Sequence, residues 1–195
     1  MKNNFDEKSA LMLIEDMIKS TKEDIKDSGF YFLLWGYLVF IAALSDYYLL
    51  EFSTFEIHGL PWIILMPLGG IITMITSRRE KKKERVKTYV SESLKYMVRA
   101  FCISLFIVCF TMPAANQWRA FYPSIMLIYA MWLYVSGGLL RFKPLMYGAG
   151  FNWLIAAVTY FAPTTQLHLL LIALAVLGGY IIPGHMLNAR KQQDV

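Results

Sequence analysis

A polar side chain inside an apolar run is costly to keep in lipid, so the few present are the first places to look for chemistry. In this 195-residue sequence Asp46 ends the first such run and His168 begins the last. If both lie at the same membrane face, the carboxylate and imidazole can meet across the bundle, as an interfacial hydrogen bond or a proton-linked site. Asn152 stands about two turns into another run, where it can hydrogen-bond a neighbouring helix or line a pathway. Arg99 is about one turn into a third run and can snorkel to the headgroups. Arg141, with Lys143, precedes Pro144 in a tight turn suited to anionic lipid. These five residues are the candidate functional positions. There is no nucleophile elbow, no glycine-rich phosphate loop, no His-x-x-x-His pair and no His/Glu/Asp cluster at metal-ligand spacing. No catalytic, metal or cofactor-binding residue is therefore assigned, no cofactor is expected, and the reading is of a non-enzyme.

The elements that must position these residues are membrane helices. With 57% hydrophobic and 17% charged residues and a mean hydropathy of +0.45, the chain departs from soluble composition. The net charge of +5 gathers at the ends of apolar runs, which is a topology signal and excludes nucleic acid as a partner. Six runs approach the ~20 residues that cross hydrocarbon: 30–50, 60–77, 95–112, 121–140, 145–162 and 167–184. Cys102 and Cys109 share a face of the third, roughly 10 Å apart, too far for a mutual disulfide. They are expected to be buried and inert.

The basic stretch Ser77-Arg78-Arg79-Glu80-Lys81-Lys82-Lys83-Glu84-Arg85-Val86-Lys87 sets the orientation, because juxtamembrane Lys and Arg stay on the cytoplasmic side. Six crossings then put both termini inside, and of the 19 Lys and Arg only Arg119 falls outside. The outer connections, about 51–59, 113–120 and 163–166, are short and flanked by Tyr47, Tyr48, Trp62, Trp118, Phe121 and Tyr160 as an interfacial belt. Before the first span, residues 1–29 read as a cytoplasmic amphipathic helix. Leu11, Ile14, Ile18 and Ile25 recur at helical spacing, and Asp27-Ser28-Gly29 forms the expected stop. No cleavable signal is visible, so the first span is expected to act as its own insertion signal. The third helix is expected to begin near Glu84 and project inward, and residues 185–195 form a cytoplasmic tail.

The fold expected is thus an all-α integral membrane protein of six helices in three hairpins. A repeat underlies the hairpins: Gly36-Tyr-Leu-Val-Phe-Ile-Ala-Ala-Leu-Ser45 aligns with Gly150-Phe-Asn-Trp-Leu-Ile-Ala-Ala-Val-Thr159, and Leu68-Gly69-Gly70 with Leu177-Gly178-Gly179. The glycine pairs, like Ala175 with Gly179, suit close helix packing.

Three stretches, Phe32-Leu33-Leu34-Trp35-Gly36, Arg141-Phe142-Lys143-Pro144-Leu145 and Gly179-Tyr180-Ile181-Ile182-Pro183-Gly184-His185, resemble an uncharacterised family of small six-helix bacterial inner-membrane proteins. Its members are often encoded beside a small winged-helix regulator. The resemblance covers most of the chain, supports the topology and a bacterial cytoplasmic (inner) membrane location, and transfers no active site.

Two functions follow. In the first, the protein works through protein or lipid contacts, as a regulator or sensor, with residues 1–27 and 78–95 as its face toward a cytoplasmic protein partner. In the second it is a small transporter or channel, a homo-oligomer, with a pathway lined by Asn152, Asp46 and His168. An intramembrane enzyme is third. A dry, tightly packed bundle favours the first reading, and a cavity reaching Asn152 favours the second.

Overall fold

A computed structural model of the protein describes residues 7–53, 59–81 and 89–193, with side chains placed for 29–53, 59–79 and 92–189. All elements among the described residues are helical: α1 Glu7–Phe52, α2 Leu60–Lys81, α3 Tyr89–Ala114, α4 Trp118–Leu139, α5 Lys143–Phe161, α6 Thr165–Val176, a π turn Leu177–Ile181, and α7 Ile182–Gln193. Five stretches are long and apolar enough to cross a membrane: Gly29–Phe52, Leu60–Arg79, Glu92–Ala114, Trp118–Leu139 and Thr165–Ala189. The 19 residues of α5 span about 28 Å at 1.5 Å per residue, close to the ~30 Å hydrocarbon thickness. Asn152, Pro144 and the small and tyrosine residues dilute its hydropathy.

Two boundaries differ from those expected. Within the expected segment 1–29, residues 7–29 do not form a separate helix, because α1 runs unbroken from Glu7 through Asp27-Ser28-Gly29 to Phe52. Gly29 is buried against Asn188 and Leu187 of α7, so packing holds the helix through a sequence that would otherwise end it. The 46 residues reach about 69 Å, well beyond a bilayer core. At the other end, the expected tail 185–195 is helical as far as Gln193. Pro183 does not end the helix, because the wide turn precedes it: Leu177 O accepts from Ile182 N, five residues on. Widening rearranges the carbonyls that the Pro ring would otherwise meet four residues back. The expected start of the third helix near Glu84 and the centre of the basic loop lie outside the described residues, as do the side chains of residues 1–27.

The core lies between α1, α4, α5 and the α6–π–α7 line. Ala42, Ala43, Leu133, Leu145, Ala149 and Leu169 are fully buried within it. The tightest pair is α4 with α5, which spans the join between the second and third expected hairpins, and α1 packs against α6 as closely as against α2. The α4–α5 turn explains that intimacy. Arg141 takes a left-handed conformation (φ 50°), Phe142 N donates to Gly137 O (2.9 Å) and Arg141 N to Gly138 O (3.2 Å). These are the paired bonds of a Schellman cap, which turns the chain back at once. Asn116 (φ 57°) closes α3 in the same way, with Gln117 N donating to Met112 O.

Outside this core, α2 and α3 are arms. Among the described residues, the backbone of α2 comes within 8 Å of α1 alone, and that of α3 within 8 Å of α4 and a short part of α1. Trp35 Nε1 donates to Thr73 Oγ1 (3.2 Å), tying α2 to α1. The two cysteines of α3 are exposed rather than buried, because little of the protein covers that helix.

Candidate functional site

Asp46 and His168 sit at the same end of the molecule, but each fastens its own pair of helices. The Asp46 carboxylate, buried near the end of α1, accepts from Gly59 N (2.9 Å) and from Trp62 Nε1 (3.0 Å). Both oxygens thus hold the start of α2, where a negative charge also meets the positive end of the helix dipole. Gly59 has φ +82°, which favours glycine over any side chain at this turn. His168, near the start of α6, bonds back to α5, where its Nε2 donates to Ala162 O (3.1 Å). Its Nδ1 is buried with no hydrogen-bond partner among the described residues. Between the two lies Tyr122 of α4, edge-on to the His168 ring at 5.6 Å between centroids. The expected Asp46–His168 contact is therefore replaced by two separate staples, because each polar group finds a nearer backbone partner.

Between α1, α2, α3, α4, α5 and α6 lies a cavity of about 530 Å³. Asp46, Gly59, Trp62, Trp118, Tyr122 and Thr165 line one end of it, Met66, Met126 and Tyr129 its middle, and Asn152 with Ala175 its depth. The volume falls in the ~300–1,000 Å³ range of ligand pockets, and an aromatic and aliphatic wall with a few polar groups is the usual composition of one. Asn152 is only 1% exposed. Its Nδ2 donates twice, to Gly148 O (3.1 Å) one turn back and to Ala175 O (3.0 Å) across on α6. Its Oδ1 accepts no hydrogen bond among the described residues.

The wall behind Asn152 is built on close backbone contact. A Cβ on Gly148 would lie 2.9 Å from Gly179 O, and one on Gly179 would collide with Asn152 Nδ2. Two glycines thus bring α5 and the π turn together, and just before that turn the carboxamide bridges α5 to Ala175 of α6. Wide turns of this kind recur at functional positions in helices.

Of the five residues singled out by type, Asp46 and Asn152 share the cavity and His168 stands behind its Tyr122 wall. Arg99 and Arg141 do not join them. Arg99 is exposed on α3 with its guanidinium 5.6 Å from the Tyr96 ring centroid. Arg141 is exposed in the Schellman turn, and its conformation is its notable property. His185, exposed on α7, bonds to Tyr37 (Nε2 to OH, 2.8 Å). Trp62, Trp118, Tyr122 and Tyr129 were not legible as cavity residues. Trp62 and Trp118 read as interfacial belt aromatics, and only the Asp46–Gly59–Trp62 bonds show that Trp62 points inward.

No protein-family model, curated protein or solved structure matches the chain. The geometry therefore carries the functional reading.

Proposed function

We propose that this is a six-span bacterial inner-membrane protein, with both termini cytoplasmic, that takes a small ligand into the cavity between its helices as a transporter or ligand-responsive receptor. In this reading α5 is the sixth span. It is long enough, and its polar Asn152 faces protein rather than lipid, as buried polar groups in membrane helices do. The single observation that carries the proposal is the cavity of about 530 Å³ that reaches from Asp46 to Asn152. A bundle working only through its surface has no need of one. The charge asymmetry supplies the orientation. No chemical step is assigned to any residue.

A second reading, action through protein contacts, is supported by α3, none of whose most apolar stretch is buried in the single chain. A lipid-facing helix can equally be a helix awaiting a partner, a second copy included.

Native mass spectrometry of the protein released from lipid nanodiscs tests the first reading, with Leu50→Trp as the variant that narrows the cavity. A defined small molecule retained by the wild type and lost from Leu50→Trp is the expected result. Bulk lipid alone on both proteins would return the function to the second reading.

A further inference from the structure

The way into the cavity and the polar group at its depth narrow the class of ligand. Trp62 and Met66 of α2 line the cavity on one side, and Cys109 of α3 with Phe121, Ile125 and Tyr129 of α4 on the other. Yet no Cα of α2 comes within 8 Å of α3, α4 or α6 among the described residues. The wall between α2 and α4 is therefore made of side chains only, mainly aromatic, with no backbone contact to seal it. Such a seam opens toward the bilayer, so a membrane-dissolved molecule can reach the cavity sideways. The lining offers a water-soluble solute almost nothing. The carboxylate of Asp46 is already engaged by Gly59 and Trp62, and most other lining residues are apolar or aromatic.

One polar atom at the depth stands apart. Asn152 lines the cavity while 1% exposed, with both of its hydrogen bonds made through Nδ2. Its Oδ1 accepts no hydrogen bond among the described residues. A buried acceptor in an apolar pocket discriminates strongly for a ligand that donates to it, because the ligand lacking the donor leaves it unpaired.

We propose that the cavity binds a membrane-partitioned apolar molecule bearing one hydroxyl or N–H donor at its leading end, which bonds to Asn152 Oδ1. This rests on the ligand-binding reading above and specifies its ligand class. Trp62, Tyr122 and Tyr129 supply aromatic faces for the body of such a molecule, and the seam between α2 and α4 is its route.

The test compares 4-hexylphenol with 4-hexylanisole, which share a body and differ in the donor. Binding to the wild-type protein in nanodiscs is followed by quenching of tryptophan fluorescence, corrected for the partitioning of each probe into empty nanodiscs. The phenol is expected to bind about fivefold more tightly, the worth of one neutral hydrogen bond. In Asn152→Leu the two affinities should become equal. Saturable binding of both probes with equal affinity by the wild type would overturn the donor assignment and leave the cavity reading standing. A phenol preference that survives in Asn152→Leu would overturn the role of Asn152. No saturable binding of either probe would overturn both. The wild-type comparison stands by itself if Asn152→Leu does not fold.

Discussion

Two apolar stretches of similar length are used in opposite ways. In Thr165–Ala189, 61% of the most apolar window is buried inside the protein; in Glu92–Ala114, none is. Both satisfy the same hydropathy rule, so hydropathy says that each can cross lipid and nothing about which one the fold is built on. What separates them is the small and polar residues. The buried line carries Ala173, Ala175, Gly179 and His168, which let other helices approach and bond. The exposed one carries Ile103, Phe106, Ile107 and Phe110, large side chains on the outer surface. Without a hydrophobic force between helices in a bilayer, close approach and hydrogen bonding decide the core. The candidate site follows that rule and lies against the buried line.

Glycine substitutions break this contrast most sharply. Gly179→Ala places a methyl on Asn152 and near Leu133 Cδ1 (3.1 Å), and should destabilise by about 3 kcal/mol through overpacking and loss of the carboxamide bridge. Gly70→Ala in α2, where a Cβ meets nothing within 4 Å, should be neutral or raise stability by up to about 1 kcal/mol. Thermal unfolding in detergent compares the two, and equal effects would contradict the close approach at the π turn.

A smaller effect is expected at the staple between α1 and α2. Asp46→Asn turns one of two acceptor oxygens into an amide nitrogen facing an N–H donor, which should cost about 2 kcal/mol. It should also shift the Trp62 emission, read in a variant with Trp62 as the sole tryptophan. An unchanged emission maximum would mean that Asp46 does not hold Trp62.

Arg141→Gly should stabilise the protein by about 1 kcal/mol, since an L side chain in the left-handed region costs about that much and the turn lies outside the site. A loss of stability would mean that the Arg141 side chain has a binding role that its exposure does not show.

At the exposed extreme, Ile103→Ala should change the melting of the isolated protein by no more than about 0.5 kcal/mol. A larger loss, accompanied by a drop in oligomer mass, would show that α3 is covered by a second copy.

The long apolar helices were legible because apolar length is written locally. The place of Asp46 near one end of its span and of Asn152 inside another was legible for the same reason. The partners were not, since they depend on which helices touch: Asp46 with Gly59 and Trp62, His168 with Ala162, Asn152 with Ala175. The continuity of α1 through Gly29 and of the last helix through Pro183 was hidden because local stop signals there are overridden, by packing against Asn188 in one case and by the π turn in the other. The motif alignment of Gly36–Ser45 with Gly150–Thr159 gave no warning that their glycines differ. Gly36 is pressed against Tyr180 and Ile181, whereas a Cβ on Gly150 meets nothing within 4 Å.

The central claim is that the space reaching Asn152 is an open site. Adjacent residues of α6 test it most directly, since Ala175 lines the cavity and Leu174 is exposed on the outer surface. With Cys102 and Cys109 replaced by Ala, Ala175→Cys and Leu174→Cys would be labelled in nanodiscs with N-ethylmaleimide, which is uncharged and partitions into the bilayer. Labelling of Ala175→Cys that 4-hexylphenol slows, while that of Leu174→Cys is unaffected, is the result predicted. Labelling of Leu174→Cys with none of Ala175→Cys would mean that the helices close over Asn152 and that the protein acts through its surface instead.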